Sequence, residues 1–189
     1  MTLEERRKLL VGLLGDADEG VRAAAAGSLE QLESFQDLGQ IVAALTAEKR
    51  GTRVKAIFAM ERINSPEVFP PLIELLKDAD ADIRAAAIQV LGVKAHPKSL
   101  TSLVRHLKDP APAVRVHTAQ ALGHFQDPRL VPYLVAMLGD ADEQLVINAA
   151  RSLGRLGAAE AAAPLAELLR DSRAPVRQAA ARALGEVPL

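Results

Sequence analysis

The chain has 189 residues, of which 49% are hydrophobic and only 3% aromatic, and its formal net charge is -1 with a pI near 6.4. A near-neutral molecule has no overall field that attracts nucleic acid or an anionic membrane, so both partner classes are disfavoured. The absence of cysteine excludes disulfides, thiolate chemistry and cysteine-ligated metal sites. No apolar run approaches the ~20 residues that span a bilayer, and we expect a cytoplasmic protein.

A repeat of 31 residues organises the chain from its first helix onward. That helix is predicted to begin at Thr2, which with Glu5 has the spacing of a capping box. The dipeptides that mark the repeat are Val21-Arg22, Thr52-Arg53, Ile83-Arg84, Val114-Arg115, Leu145-Val146 and Val176-Arg177. A fixed period of this size is typical of a repeat array. We expect one domain over 1–189 with six repeats, at roughly 2–33, 34–64, 65–95, 96–126, 127–157 and 158–187.

Each repeat is predicted to contain two helices of about three turns, because its apolar residues recur at helical spacing. Turns rich in aspartate and proline separate the two helices, and Pro66, Pro128 and Pro164 lie at or near the starts of first helices. A single hairpin cannot bury its apolar face, so stacked hairpins must share one core. The predicted fold class is an all-α solenoid of six helical hairpins.

The repeat resembles a known family. The pattern Leu-x-x-Leu-Leu-x-Asp followed by Val-Arg-x-x-Ala-Ala-x-x-Leu-Gly is clearest at 72–92, 103–123, 134–154 and 165–185, whereas Glu30 and Glu61 replace the glycine in the first two repeats. It resembles the short HEAT-like repeats named after the phycobilisome lyases. The resemblance implies a right-handed superhelix whose second helices line the concave side. Such repeats occur in scaffolds, bilin lyases, hydroxylases and DNA glycosylases, so the resemblance specifies fold more than function.

The residues on which two of the enzymatic branches, the hydroxylases and the glycosylases, depend are missing, whereas the bilin-lyase branch is harder to exclude. The chain has no His-Glu dipeptide, which hydroxylases on this scaffold use to bind iron, and no tryptophan, which the glycosylases place beside the damaged base. His117 and His124 lie about 10.5 Å apart along a helix, which is too far for two ligands of one metal. We therefore predict a non-enzymatic protein with no catalytic residues, no metal and no cofactor.

The recurring arginine lies six residues after an acidic position in the turn. A charge pair repeated in every unit favours a stacking role over a phosphate site. Two positions depart from the pattern. Ala47 stands where the acid of Arg53 is expected, and Val146 stands where the arginine of Asp140 is expected. Asp140 is then left to interact with a neighbouring repeat or with water. On this pattern Val146→Arg is expected to be neutral or mildly stabilising.

The second helices carry a further row of residues that the repeat does not use for packing. At about 100° per residue, these positions fall on one face that is expected to be exposed. The row comprises Val54, Lys55, Phe58 and Arg62 in the second repeat, Val116, His117, Gln120 and His124 in the fourth, and Ile147, Asn148, Arg151 and Arg155 in the fifth. Exposed apolar residues beside arginine are typical of a contact surface, unless neighbouring helices cover the aliphatic members.

These observations predict a protein-interaction scaffold or adaptor whose concave groove binds a protein or peptide with acidic and apolar groups. The alternative is an accessory, bilin-lyase-like or chaperone subunit that acts on a cofactor-bearing protein. A third hypothesis is nucleic-acid binding through Arg62, Arg151, Arg155 and Arg182, which the near-neutral charge disfavours.

Overall fold

The computed structural model describes residues 1–188 and, for residues 34–37, the backbone alone. Every regular element in this range is helical, with eleven α-helices and six single turns of 3-10 helix, which confirms the prediction of an all-α protein. The chain divides into two compact units, Met1–Val68 and Phe69–Leu189. None of the helices in the described range combines the length and apolarity needed to cross a bilayer.

The first unit contains α1 (Leu3–Leu13), α2 (Glu19–Ala44) and α3 (Arg50–Ala59). The predicted capping box at the start of α1 is confirmed. The Glu5 amide donates to the Thr2 hydroxyl at 3.2 Å, and the Thr2 amide donates to the Glu5 carboxylate at 2.7 Å. The Asp18 carboxylate begins α2 by accepting the Val21 amide at 3.1 Å. The second helix of the first repeat therefore starts where the acidic turn predicts.

Helix α2 departs from the repeat pattern at its centre. The predicted boundary between the first two repeats, at residues 33 and 34, lies inside this helix of 26 residues. Later junctions contain helix breakers, namely Pro97, Pro128 and the left-handed Gly157 with a φ of 59°. Residues 33–37 contain neither proline nor glycine. The helix continues through the junction because nothing in the sequence there interrupts its hydrogen bonding.

The second unit consists of four hairpins, each with a short first helix and a longer second helix. The first helices are α4 (Phe69–Leu75), α6 (Leu100–Arg105), α8 (Val131–Val135) and α10 (Ala162–Leu168). The second helices are α5 (Ala81–Lys94), α7 (Pro112–Leu122), α9 (Glu143–Leu156) and α11 (Ala174–Glu186), and consecutive second helices pack against each other. Leu91, Leu122 and Leu153 occupy one repeat position and are completely buried. The repeated leucine thus builds a core that continues from hairpin to hairpin.

Glycine at another repeat position allows the second helices to approach closely. A Cβ atom built on Gly92 would lie 2.6 Å from the Cβ of Ala121 on the next second helix, and one on Gly154 would lie 2.8 Å from the Cα of Ala183. Real Cβ atoms do not come this close, so the helices would have to separate. Gly185, at the same position of the last repeat, has nothing within 4 Å of its Cβ site. The glycine is therefore required only where another second helix follows.

Gly92→Ala is expected to lower the free energy of unfolding by about 1 to 3 kcal/mol, because the added methyl group overpacks the contact between α5 and α7. Urea denaturation followed by circular dichroism measures this loss. Gly185→Ala is the matched control and is expected to be neutral or slightly stabilising, since its site is open and alanine is the better helix former. Equal losses from both substitutions would contradict the close-packing role of the glycine.

Candidate protein-interaction surface

The recurring arginines bind the turns that precede them. The guanidinium groups of Arg22, Arg84, Arg115 and Arg177 each donate to the carbonyl oxygens six and five residues earlier, at 2.7 to 3.4 Å. The turn aspartates instead accept backbone amides, as Asp78 accepts the amide of Asp80 at 2.8 Å. Side chains of the same repeat thereby form hydrogen bonds with both the carbonyl oxygens and the amides of the turn. This arrangement supports the structural role of these arginines over a phosphate site.

One recurring arginine also connects two repeats. Arg84 on α5 makes a bidentate ion pair with Asp109 in the following turn, with N–O distances of 2.8 and 2.9 Å. The hydrogen bond with Asp109 raises the pKa of Arg84. Burial on its own would raise the pKa of Asp109, but hydrogen bonds from Arg84 and from the Ala111 amide outweigh it, so this pKa lies below its ordinary value. The pair therefore fixes the carboxylate in its charged form between two hairpins.

The sixth repeat supplies the arginine that the fifth repeat lacks. Val146, at the arginine position, is completely buried. The carbonyl oxygens of Asp140 and Ala141, which an arginine at 146 would bind, accept from Arg173 at 3.2 and 3.4 Å. Arg173 also pairs with Asp171, and its side-chain and backbone hydrogen bonds lower the pKa of Asp171 to about 2. Arg173 thus makes the contacts that the missing arginine of the fifth repeat would make.

The predicted residues of the second repeat line one groove within the first unit. This groove has a volume of about 660 Å³ and lies between the C-terminal part of α2 and the helix α3 with its following turn. Its lining consists of Val54, Lys55, Phe58 and Arg62 together with Gln40, Ile41, Ala59 and Ile63. Phe58 is 39% exposed, which confirms the expectation that it points outward, and Lys55 and Arg62 are also exposed.

The corresponding row in the second unit is polar and basic. Ile147 is only 5% exposed and Val116 is half-buried, so the expectation of an exposed apolar strip is wrong at Ile147. The physical reason is that α7 and α9 each have a second helix on both sides, and these neighbours cover the aliphatic residues. The remaining exposed positions of the row are Gln120, His124, Arg151 and Arg155, whereas His117 and Asn148 are half-buried.

Two histidines of this row differ in their surroundings. Partial burial of the His124 ring lowers its pKa, and the charge of Arg155 lowers it further, which favours the neutral imidazole at pH 7. The Nδ1 atom of His117 is buried and makes no hydrogen bond among the described residues. The described side chains contain no group of three or more His, Cys, Asp or Glu residues that is arranged to hold a metal ion.

The first helices carry a groove that the sequence pattern did not indicate. It has a volume of about 1030 Å³ and lies between α6 and α8 of the second unit. Tyr133 on α8 lines this groove and is 50% exposed. A signal was present in the sequence, because Tyr133 is the only tyrosine of the chain and lies in the first helix of its predicted repeat.

Stacked helical hairpins with a repeated turn geometry define an α-solenoid repeat protein. A family model described as HEAT repeats matches residues 38–111 and 100–185, which is more than half of the sequence. The chain belongs to the HEAT repeat family. A comparison with curated proteins gives no significant match.

Solved structures of similar fold include natural and designed repeat proteins. The complex of CpcE and CpcF of phycocyanin lyase from Nostoc sp. PCC7120 matches with a TM-score of 0.68 and 21% identity, over 79% of this chain and 98% of that chain. YibA of E. coli matches with a TM-score of 0.66 and 21% identity, over 96% of this chain and 72% of that chain. A designed armadillo repeat protein in complex with the peptide (KR)4 matches with a TM-score of 0.61 and 18% identity, over 100% of both chains. At these identities the similarity shows the fold alone.

Arg173→Ala is expected to lower the free energy of unfolding, because the turn of the fifth repeat loses its charged donor. Arg170→Ala, which removes an exposed arginine of the same repeat, is the control and is expected to have little effect. Val146→Arg is now expected to destabilise rather than stabilise, because position 146 is completely buried and Arg173 already binds the carbonyl oxygens. Indifference to Arg173→Ala in urea denaturation would show that the contact is not structural.

Acid is expected to destabilise the second unit through Asp109 and Asp171. Both carboxyl groups have a lower pKa in the folded protein than their ordinary value of 3.8. Each therefore contributes stability that is fully present above about pH 4 and is lost as the pH falls through the folded-state value, which is about 2 for Asp171. Urea midpoints measured between about pH 5 and about pH 2 should fall, and Asp171→Asn should make this pH dependence shallower. An unchanged slope in Asp171→Asn would contradict its depressed pKa.

Proposed function

We propose that this protein is a non-enzymatic scaffold that binds a segment of another protein along its second helices, with Phe58 as an apolar anchor. The observation that supports this function is the exposed phenylalanine in a groove beside two exposed cations, Lys55 and Arg62. Large aromatic side chains beside arginine are enriched among the residues that dominate interface energies.

The internal repeat indicates that the fold does not need phenylalanine at this position. Glutamine occupies the equivalent positions 89 and 120, and arginine occupies position 151. The repeats with Gln89, Gln120 and Arg151 form regular second helices without an aromatic side chain there. An exposed phenylalanine that packing does not require favours a binding role.

The charges beside Phe58 favour an acidic partner. Among the described residues, neither Lys55 nor Arg62 forms an ion pair, so both remain available to carboxylates. The second unit presents cations on its own second helices, at Arg151 and Arg155. The partner that fits this chemistry is a protein segment in which acidic residues flank an apolar side chain.

Phe58→Gln is expected to weaken partner binding by about 2 kcal/mol or more while changing stability little, because the side chain is an exposed anchor rather than part of the core. The partner is first isolated by affinity capture and mass spectrometry, and its affinity for the wild type and the variant is then measured by calorimetry. Leu169→Ala is the matched control, since Leu169 is also 39% exposed but lies in the second unit. Its affinity for the partner should equal that of the wild type.

Three results would contradict the proposal. If Phe58→Gln lowers the melting temperature sharply and leaves affinity unchanged, Phe58 is a core residue. If the captured partner is a nucleic acid and affinity falls steeply with salt, counterion release rather than groove binding explains the interaction. If the partner bears a tetrapyrrole and is chemically altered on binding, the accessory-subunit alternative is the correct one.

A further inference from the structure

The groove on the first helices of the second unit is distinct from the row on the second helices. One side is formed by α6 and the 3-10 turn His106–Lys108, and the other by the turn Pro128–Leu130 and α8. Val104 and Met137 are half-buried in it, and the Tyr133 ring stands 50% exposed beside them. The groove therefore offers an apolar floor with an aromatic side chain at its edge.

The repeat shows that the solenoid does not require this tyrosine. The positions equivalent to Tyr133 in the other hairpins of the second unit are Pro71, Ser102 and Pro164. These residues leave the corresponding hairpins intact. Because a phenol ring that is half exposed gains little from packing, its placement is better explained by contact with a partner.

The charge also changes in the two repeats that form the groove. Glu74 and Glu167 occupy one repeat position on the first helices of the third and sixth repeats. Arg105 and Ala136 replace this acid in the fourth and fifth repeats, and both line the groove. Within the second unit, this acid is therefore absent only from the two hairpins between which the groove lies.

Two of the three cations that line the groove form no ion pair among the described residues. In the third repeat Glu74 pairs with Lys77 at 2.8 Å, but the equivalent residues in the fourth repeat are Arg105 and Lys108, which have the same charge. Neither forms an ion pair among the described residues, and no acidic residue lines the groove. Arg129, the third cation of the lining, pairs with an aspartate beside the groove at 2.7 Å. Arg105 and Lys108 thus leave positive charge uncompensated next to apolar surface.

We propose that this groove between α6 and α8 docks an acidic segment of a partner protein, with carboxylates on Arg105 and Lys108 and one large apolar side chain packed against Tyr133. Charge complementarity favours this occupant, because two uncompensated cations repel a basic segment. A purely apolar segment would remove water from these two cations without supplying carboxylates to pair with them, which costs free energy. This surface shares no residue with the Phe58 groove, so the two proposals can fail independently.

The repeat itself provides variants that preserve the fold. Arg105→Glu combined with Ala136→Glu restores the residue that two other repeats carry at this position, and Tyr133→Ser introduces the residue of the fourth repeat. Circular dichroism and thermal melting should show these variants to be folded as the wild type is. The probes are two short fluorescein-labelled peptides, one of glutamates and leucines and the other with every leucine replaced by serine.

Fluorescence anisotropy with the full chain is expected to show binding of the glutamate–leucine peptide that weakens about tenfold or more in the double glutamate variant, because like charges then face each other. Tyr133→Ser should also weaken binding, and the glutamate–serine peptide should bind less tightly than its leucine counterpart. Leu169→Ala, which changes an exposed residue that lines neither groove, should leave the affinity for the peptide unchanged.

Several outcomes would overturn this proposal. The proposal is wrong if the wild type shows no detectable binding or if it binds both peptides with equal affinity. It is also wrong if only Phe58→Gln lowers the affinity, because the peptide then binds in the other groove. Sedimentation gives a further one. If the wild type is a dimer and the double glutamate variant a monomer, the groove is covered by a second copy of this chain rather than by an acidic partner.

Discussion

The close approach of successive second helices is the constraint on which the second unit depends. Glycine at the repeat position of Gly92 and Gly154 brings each second helix against the backbone of the next. Fully buried leucines can then form a core with almost no aromatic residues. The same approach brings each turn near the following one, so that Arg84 reaches Asp109 across the interface of two hairpins. Packing and the polar contacts of the turns therefore have a common origin.

Most of the fold could be predicted from the sequence, because helical periodicity and a constant repeat length identify both the elements and their stacking. The misses have physical causes. The continuity of α2 depends on the lack of a helix breaker at one junction, a local feature that the periodic pattern averages out. The burial of Ile147 depends on neighbouring helices, which the face of a single helix cannot reveal. The contact of Arg173 crosses from one repeat to another and so falls outside the recurring dipeptide.

The candidate sites could be predicted where each residue was compared with the residues at the equivalent positions of the other repeats. A residue that recurs in every hairpin is explained by packing, whereas a residue that departs from its equivalents needs another explanation. Phe58 departs from the glutamines at 89 and 120 and could be recognised on the second helices. Tyr133 and Arg105 depart in the same way on the first helices. These two residues were not predicted as a site, because helical periodicity assigns the exposed face of a helix to solvent whatever charges that face carries.

Because α2 is one continuous helix, the first two repeats are expected to undergo local unfolding together. In a hairpin array each junction interrupts the backbone hydrogen bonds, so one repeat can open while its neighbour stays folded. The 26 residues of α2 contain no such interruption, and amides before and after residue 34 belong to one cooperative segment. Hydrogen exchange in the first unit is therefore expected to report the joint opening of two repeats. In the second unit, which has proline or glycine at its junctions, a single hairpin is expected to exchange by itself.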